Sequence, residues 1–596
     1  MERRPARIAG LLAGWSLGAW EAGLVLSNAQ FAGTYWVYLL TPMVAMALYG
    51  WGGWLIGRLS PVAPPWWLLL PVGAAIILYL NRGLGLPAAA GWPWTAAGAV
   101  AALALAVLAL FGRAERLPKA LGLASLSLPL VLGLLFILIG QDPVVRAAAR
   151  GPERPDAPNV VLVTWDTVRA DTLPLYGGGG LDLPVLERLA AEGVVLEDFR
   201  SVASITAPAH ASMLTGLYPP SHGLRANGES LVTEGLPSLP AVLSAAGYAT
   251  GAFVSGYPIR AKFGFATGFQ YFDGRSDADF VDTVVELCRF SSCVLRRVLP
   301  ERARSRFTVP GDLTVQRATQ WYLEQDGPTF LWVHLFDAHS PYLPPEVFRR
   351  LALARADEGP HAVLPELEEA LVLQRGEIIW LDALLGELRV ALEARDPGLR
   401  NTLVMLVADH GECFGEGGPQ MNHEASLFAA TQHVPAVIRL PGSMPQARRG
   451  ERLRVPASHV DLAPTILDLL GLPPLPDAQG RSLLPILLGE PEESLPDLGR
   501  YMEAYQVRLG DKRLSGWVKD GWKVVWALDG EVALYRLDRG DVDLSREYPD
   551  RLAELLAEGK AFLERLPRRE SGGMDLDFQD RHALEHLGYV DSARGD

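Results

Sequence analysis

Thr206 lies near the start of a short segment, Ser204–Gly216 (SITAPAHASMLTG), whose composition predicts the beginning of a helix. Pro208 would lie in the first helical turn, where proline is favoured. A hydroxyl group there lies near free backbone N–H groups and the positive end of the helix dipole, a good place for an anionic ester. With a metal ion to lower its pKa, such a threonine becomes a competent nucleophile. The alternative is that Thr206 only caps the helix, and the segment alone leaves both interpretations open.

Carboxylate and imidazole side chains follow three short apolar runs of the chain. Asp166 follows the first run, Asp337 and His339 follow the second, and the pair Asp409–His410 follows the third. A carboxylate beside an imidazole suits a divalent metal ion. A structural role stays an alternative, since an aspartate at the end of a strand is more often a cap than a ligand.

The apolar runs read as buried strands separated by helical patterns. The predicted strands are Val160–Trp165, Phe330–Phe336, Thr402–Ala408 and Val434–Leu440, and helical patterns include Leu183–Glu192 and Glu377–Ala394. Alternation of this kind predicts an α/β domain with a largely parallel sheet. Ligands of such sheets bind beyond the carboxyl ends of the strands. We therefore expect the acidic and histidine residues to meet at one edge of the sheet.

Eight segments follow one another in the order that the sulfatases show. They are Asn159–Gly177, Thr206–Gly216, Tyr218–Gly223, Phe330–Tyr342, Gly376–Asp382, Asp409–Gly415, Val460–Gly471 and Gly480–Pro485. The chain thus resembles a sulfatase-type member of the alkaline phosphatase superfamily over about residues 159–490. A weaker match at Gly521–Val524 and Ala533–Asp538 resembles the small C-terminal subdomain of that family. The resemblance implies an α/β fold with a mostly parallel central sheet and that subdomain.

The resemblance also implies roles for individual residues. Asp166, Asp409 and His410 become metal ligands, and Thr206 becomes the nucleophile and a further ligand. His339 and His423 would contact the substrate ester or protonate the leaving group. His210, which stands where sulfatases have an arginine beside the nucleophile, would be a further catalytic residue. A structural role stays an alternative for each histidine. Four further matches would brace the site, namely Arg169, Asp171, His222 and Asn227.

The nucleophile motif departs from the sulfatase pattern. Sulfatases make a formylglycine from Cys or Ser in a Cys/Ser-x-Pro-x-Arg motif, whereas this chain has Thr206-Ala-Pro-Ala-His210. Neither the precursor nor the arginine is present. The aspartate pair that helps to hold calcium is also absent, because Asp166 is followed by Thr167. The departures predict a sulfatase fold with a different chemistry.

The ligand set predicts one divalent metal ion. A histidine among the ligands favours zinc or manganese over calcium or magnesium. A second ion held by Asp337, His339 and His423, as in phosphodiesterases of the superfamily, stays an alternative.

The first 145 residues predict a membrane domain. They carry 12 charges, and five apolar stretches are each long enough to span a bilayer: Ile8–Ser27, Tyr35–Gly57, Val62–Leu80, Pro93–Gly112 and Ala120–Gly140. With the N-terminus in the cytoplasm, seven basic residues lie in inner short loops and only Arg82 lies in an outer one. This places the catalytic domain outside the cytoplasm. Lipoteichoic acid synthases and phosphoethanolamine transferases resemble this plan, with five spans before a domain with a metal-bound threonine, although they usually have glutamate where this chain has Asp166.

The predicted organisation is a five-span domain (1–141), a linker (142–158), a catalytic domain (159–490), a C-terminal subdomain (491–570) and a tail (571–596). Cys288 and Cys293 could form a local disulfide outside the cytoplasm. The formal net charge of −14 argues against nucleic acid as a partner. The oligomeric state stays open.

We expect a metal-dependent hydrolase or transferase that acts on phosphodiesters or phosphoryl headgroups of lipid-linked or envelope substrates through Thr206. A phospholipid or an envelope glycoconjugate would be the substrate, and the protein would be integral to the inner, cytoplasmic membrane. The alternatives are a sulfate-ester hydrolase and a catalytically inactive scaffold with a sulfatase fold.

Overall fold

The computed structural model describes residues 156–274, 308–359, 361–416, 421–423, 426–506, 512–572 and 584. The predicted five-span domain, most of the predicted linker, Cys288, Cys293 and nearly all of the predicted tail lie outside the described residues. Among the helices that the structure describes, none combines the length and apolarity that a membrane crossing requires.

Strands and short or medium helices make up the described chain. In chain order the strands are β1 (Asn159–Trp165), β2 (Val194–Leu196), β3 (Phe199–Arg200), β4 (Ala249–Val254), β5 (Tyr271–Asp273), β6 (Thr329–Leu335), β7 (Thr402–Ala408), β8 (Cys413–Phe414), β9 (Met421–Asn422), β10 (Ala436–Arg439), β11 (Glu451–Leu453), β12 (Ala457–Ser458), β13 (Arg500–Gln506), β14 (Lys512–Lys519), β15 (Trp522–Ala527) and β16 (Val532–Arg536). The helices are α1 (Pro184–Glu192), α2 (Thr206–Thr215), α3 (Pro219–His222), α4 (Leu239–Ala245), α5 (Gly311–Leu323), α6 (Glu346–Ala354), α7 (Glu368–Arg395), α8 (Ala429–Gln432), α9 (Leu462–Leu469), α10 (Leu484–Leu487) and α11 (Pro549–Arg565).

The main sheet has eight strands in the order β11-β2-β10-β7-β1-β6-β4-β5. Strand β10 pairs antiparallel with both of its neighbours, and the other pairs are parallel. The prediction of an α/β domain with a mostly parallel sheet is therefore confirmed. The three strands that precede the candidate ligands, β7, β1 and β6, are adjacent in this order.

The centre of the sheet is buried on both faces. All seven residues of β1 (NVVLVTW) are buried, and the same holds for β6 and β7. Uninterrupted apolar runs are typical of such central parallel strands, because helices cover both faces of the sheet. Helix α7 packs against α1, α5 and α6. The predicted strands agree with β1, β6 and β7 to within one residue. Strand β10 is shorter than predicted, since it begins after Pro435 and ends at Arg439.

A second sheet follows in the C-terminal part of the described chain. Strands β13 to β16 form an antiparallel meander, and α11 packs on β14 and β15. Its core includes Tyr501, Trp517 and Leu555, which pack with Val202 and Tyr218 of the catalytic domain. This sheet occupies the region where a C-terminal subdomain is predicted, and the predicted domain boundaries stay predictions.

Candidate active site

Three adjacent strands deliver the candidate residues to one edge of the main sheet. Asp166 follows β1, His339 follows β6 by four residues, and the pair Asp409–His410 follows β7 directly. Parallel strands end at a common edge, so residues far apart in sequence meet there. Asp166, Asp409 and His410 are all fully buried.

Thr206 occupies the first position of α2 and does not cap it. The N-cap is Ile205, whose backbone is extended (φ −145°, ψ 152°). Its side chain makes no hydrogen bond to a free N–H group of the helix. The backbone N–H of Ala207 instead donates to Oδ1 of Asn227 at 2.9 Å. The capping interpretation of Thr206 is therefore wrong. Asn227 braces the helix start, as the resemblance implies.

The hydroxyl group of Thr206 faces the candidate ligands. Its Oγ1 lies 3.3 Å from Oδ2 of Asp166 and 3.4 Å from Nε2 of His410. Thr206 is fully buried in the structure. The hydroxyl oxygen at this helix start thus contacts one buried acid and one imidazole.

The donor atoms of three residues are arranged as a metal site requires. Single ligand atoms of Asp166, Asp409 and His410 lie within 4.8 Å of one another. Nδ1 of His410 lies 3.0 Å from the carbonyl oxygen of Gly411, which can only accept a hydrogen bond. The proton is therefore on Nδ1, and the lone pair of Nε2 is directed at the two carboxylates. Partners of this kind orient metal-binding histidines in general.

Two buried carboxylate oxygens at the same place have no hydrogen-bond partner within the described ranges. They are Oδ1 of Asp166 and Oδ2 of Asp409. The other oxygen of Asp409 accepts hydrogen bonds from the backbone N–H groups of Thr167 and His410. An unpaired buried anion is costly unless a cation neutralises it. The residues present therefore fit a divalent metal ion.

The electrostatics of the two acids are consistent with that fit. Burial raises the pKa of Asp166 to about 6, against the attraction of His410 and His423. Burial, followed by repulsion from Asp166, also raises the pKa of Asp409. Both upward pKa shifts reflect the free-energy cost of burying two ionised carboxylates close together.

His210 contacts the backbone of Thr206, and both of its ring nitrogens are engaged. Its Nδ1 lies 2.8 Å from the carbonyl oxygen of Thr206, and its Nε2 lies 3.1 Å from Oγ1 of Thr164. The indole N–H of Trp332 donates to the same Thr164 oxygen, so the Thr164 hydroxyl proton is available to Nε2. This assigns the proton of His210 to Nδ1 and ties the ring to the backbone of Thr206. The geometry favours a positioning role over the catalytic role that the resemblance implies, which stays a prediction.

His334 forms part of the same buried layer. Its Nδ1 accepts the N–H of Gly256 at 3.3 Å, so its Nε2 carries the proton that faces Oδ2 of Asp166 at 3.2 Å. Burial lowers the pKa of His334 to about 4, which keeps the ring neutral near neutral pH. His210, His334 and Asp409 also form a geometric group of donors. The ring nitrogens of that group are already used by protein hydrogen bonds, so we assign it a bracing role.

His339 and His423 line the other side of the candidate metal group. The ring of His423 stacks on His410 at 4.6 Å between centroids, and it meets His339 edge-on at 5.3 Å. His339 in turn stacks on Phe336 at 4.2 Å. Burial lowers the pKa of His339 well below its ordinary value. The structure thus brings both predicted ester-contacting histidines to the candidate site.

Asp337 lies elsewhere. Its Oδ1 accepts the backbone N–H of Gly311 at the start of α5, at 3.2 Å. Among the residues searched, the sets of donors close enough to share an ion do not combine Asp337 with His339 and His423. The geometry gives the two-metal alternative no support in the part of the chain that is described.

The bracing residues hold the loop after β7. The guanidinium of Arg169 binds both carboxylate oxygens of Asp171, donates to the backbone carbonyl of Glu412 at 3.2 Å, and pairs with Glu416 at 2.6 Å. His222 accepts the backbone N–H of Leu224 and contacts Ser212.

Glu412 is a candidate residue that the sequence analysis missed. Its Oε2 lies 3.0 Å from Nδ1 of His423. The glycines of Gly415–Gly418 signal a turn between the two residues, but they do not reveal which residues pair across it. Thr164 and Trp332 were missed for a similar reason, because their partners are distant in sequence.

The comparisons with known proteins identify the family of the chain. The family model of the sulfatases matches residues 158–472, which is more than half of the chain. The chain is 27% identical over 453 residues to the steryl-sulfatase of Rattus norvegicus, covering 62% of this chain and 77% of that protein. It is 26% identical over 385 residues to the N-acetylgalactosamine-6-sulfatase of Canis lupus familiaris, covering 58% of this chain and 69% of that protein.

A solved structure shows the same fold. The phosphonate monoester hydrolase of Agrobacterium radiobacter superposes with a TM-score of 0.56 at 22% identity, covering 68% of this chain and 95% of that chain. At this level of identity the likeness shows the fold alone. Together with the family match, it confirms the predicted sulfatase fold. The chain belongs to the sulfatase family.

Proposed function

We propose that the chain is a metal-dependent hydrolase of sulfate or phosphate esters whose nucleophile is the unmodified hydroxyl of Thr206. One observation carries the proposal. The Thr206 hydroxyl contacts Oδ2 of Asp166 and Nε2 of His410, at a place where Oδ1 of Asp166 and Oδ2 of Asp409 are buried and have no hydrogen-bond partner in the described chain.

The metal ion would be held by Asp166, Asp409, His410 and Thr206. When bound, it would lower the pKa of the threonine hydroxyl and neutralise charge on the ester oxygens. Zinc or manganese is our proposal for its identity.

The residues of the chain supply the remaining steps. The Thr206 hydroxyl gives its proton to Oδ2 of Asp166, which it faces. Oγ1 then forms a bond to sulfur or phosphorus, and the bond from that atom to the ester oxygen breaks. A histidine of the pair His339 and His423 gives a proton to the departing oxygen. Nδ2 of Asn227 is buried and has no hydrogen-bond partner among the described residues, so it is available to a non-bridging ester oxygen. Water then forms a bond to the sulfur or phosphorus, the bond from that atom to Oγ1 of Thr206 breaks, and the proton held by Asp166 restores the hydroxyl.

The named relatives support sulfate-ester hydrolysis better than the headgroup transfer that the sequence analysis places first. Both curated relatives described above carry sulfatase names. We therefore propose a sulfate ester as the first substrate class to test.

A second candidate is hydrolysis or transfer of a phosphodiester headgroup. Thr206 favours it, since a threonine cannot become the formylglycine that sulfatases use. The proposed setting is a membrane-anchored enzyme acting outside the cytoplasm on a phospholipid or an envelope glycoconjugate. The apolar sequence of residues 1–141 supports this setting.

The test uses three substrates with one leaving group: 4-nitrophenyl sulfate, 4-nitrophenyl phosphate and bis(4-nitrophenyl) phosphate. Each is given to the purified full-length chain with Mn²⁺ or Zn²⁺, and a Thr206→Ala preparation gives the background. Turnover of the sulfate supports the first candidate, and turnover of the diester supports the second. Metal-loaded protein that turns over none of the three above background contradicts the proposal.

A further inference from the structure

A small hairpin places Glu412 opposite His423. Strands β8 and β9 pair antiparallel with Cys413 facing Asn422 and Phe414 facing Met421. Continuing this register by one residue sets Glu412 against His423. Side chains that face each other across such a pair lie close enough to interact.

The contact between the two side chains is buried and specific. The side chain of Glu412 is 2% exposed and that of His423 is 9% exposed. Oε2 of Glu412 and Nδ1 of His423 are 3.0 Å apart. Within the described ranges, His423 is the ion-pair partner found for the Glu412 carboxylate. Arg169 lies nearby but donates to the backbone carbonyl of Glu412 and not to its side chain.

The chemistry of a carboxylate determines the state of the ring. An ionised carboxylate only accepts hydrogen bonds, so the proton between the two residues belongs to Nδ1. The opposite nitrogen, Nε2, is then the atom of the ring that exchanges a proton with a ligand. The ring of His423 stacks on His410 and makes an edge contact with His339. These two contacts fix the plane of the ring beside the candidate metal ligands.

We propose that Glu412 is a positioning residue that fixes the tautomer and the orientation of His423 for proton transfer to the leaving group. The inference rests on the proposed function. In the step concerned, the bond between sulfur or phosphorus and the ester oxygen breaks with both electrons on that oxygen. The oxygen takes the proton that the doubly protonated ring carries on Nε2 after uptake from solvent, and the neutral ring is left with its Nδ1 proton on the hydrogen bond to Glu412. An acidic partner of this kind is a general way to orient a catalytic histidine.

A first measurement does not depend on activity. The ¹⁵N spectrum of histidine-labelled full-length chain, with His423→Ala used to assign the resonance, reports which ring nitrogen carries the proton. We expect the proton on Nδ1 in the wild type and a mixture of tautomers in Glu412→Ala. A wild-type ring protonated on Nε2 and not on Nδ1 would overturn the inference.

A second measurement separates positioning from simple structural support. A phenyl ester needs a proton on its leaving oxygen far more than a 4-nitrophenyl ester does. General acids typically contribute about 100-fold or more, so we expect Glu412→Ala to lower kcat on the phenyl ester by about that factor. The loss on the 4-nitrophenyl ester should be much smaller.

The matched control is Glu416→Gln in the same hairpin. Glu416 pairs with Arg169 and accepts the backbone N–H of Phe414. We expect Glu416→Gln to lower kcat on the phenyl ester and kcat on the 4-nitrophenyl ester by the same factor. The double variant Glu412→Ala with His423→Ala should be no slower than His423→Ala alone, since the two substitutions remove the same function.

The outcomes are distinct. Equal losses on both esters in Glu412→Ala, or multiplicative losses in the double variant, would show that Glu412 only supports the fold. A wild-type ring with the expected tautomer and no turnover of any ester would leave the pair intact and refute the proposed function instead.

Discussion

Thr206 illustrates how the neighbours of a residue decide between two roles. Threonine is a common N-cap, and Pro208 within the first turn fits that role. In the structure Ile205 takes the N-cap position and Asn227 satisfies the N–H of Ala207, so the Thr206 hydroxyl is left to contact Asp166 and His410. The side chain of Thr206 therefore does not cap the helix, and its hydroxyl group is positioned as the proposed nucleophile requires.

The first prediction concerns this hydroxyl. Thr206→Ala removes the attacking oxygen, and we expect turnover to fall at least about 1000-fold, whereas Thr206→Ser keeps an oxygen and should retain measurable activity. The measurement is kcat/KM on whichever ester the wild type hydrolyses. Ser204→Ala is the control, because this neighbouring hydroxyl is buried two residues earlier and should not affect the rate. An active Thr206→Ala enzyme would rule out the nucleophile.

The second prediction concerns the metal ion. Asp409→Asn replaces a buried carboxylate that faces His410 with a neutral amide. Loss of an outer partner of a metal ligand already costs about 10–100-fold in affinity, so loss of a ligand itself should cost at least that much. Elemental analysis of purified protein measures the bound metal. Equal metal content in the wild type and in Asp409→Asn would argue against this ligand set.

At the scale of elements, Asp198 links the main sheet to the C-terminal sheet. It lies between β2 and β3, its Oδ1 accepts from Arg200 at 2.8 Å, and its Oδ2 accepts from Arg500 of β13 at 2.7 Å. Burial alone would raise the pKa of Asp198, but the attraction of Arg500 and Arg200 outweighs it and holds that pKa well below its ordinary value. The ion pair between Asp198 and Arg500 therefore helps to hold the C-terminal sheet against the catalytic domain.

The third prediction follows from this link. Asp198→Asn removes the anion paired with the buried guanidinium of Arg200 and leaves Arg500 with the more distant Asp497 at 3.7 Å. We expect the free energy of unfolding to fall by about 3 kcal/mol at neutral pH. Because the folded pKa is lowered, the difference from the wild type is fully present above about pH 4. It should shrink as the pH falls further, through the folded pKa.

Chemical unfolding of the full-length chain at several pH values measures this difference. Asp538→Asn is the control, since Asp538 forms an exposed pair with Arg536 and should change stability by less than about 1 kcal/mol. A constant difference between the wild type and Asp198→Asn down to pH 2 would contradict the assigned ion pair.

The whole molecule joins two stretches of very different composition. The first 145 residues carry 12 charges, and subtracting their +4 from the total of −14 leaves −18 on the remaining 451 residues. The sequence therefore predicts an apolar anchor and an acidic catalytic part in one chain. On this reading the substrate would be presented at a membrane surface.

The fourth prediction tests that topology. Ala149→Cys, in the predicted linker, should react with a membrane-impermeant maleimide on intact cells, whereas Ala114→Cys, in a predicted inner loop, should react only after lysis. The parent chain, with its three native cysteines, gives the background. Labelling of both positions on intact cells, or of neither, would contradict five spans with an outer catalytic domain.

The sequence by itself determined the class of fold and most of the metal group. Central parallel strands are continuous apolar runs, and ligands follow such strands, so Asp166 and the pair Asp409–His410 were predictable from local pattern. The motifs also sufficed to predict the sulfatase family. These features are encoded in short segments, which is why a single sequence reveals them.

Only the tertiary structure decided what each side chain does. The capping of α2 by Asn227, the layer of Thr164, His210 and His334, and the pair of Glu412 and His423 all depend on register and on contacts between distant segments. Asp337 follows a strand as the ligands do, yet it turns to the start of α5. Side-chain direction is set by packing across the whole domain, and no local pattern in the sequence carries that information.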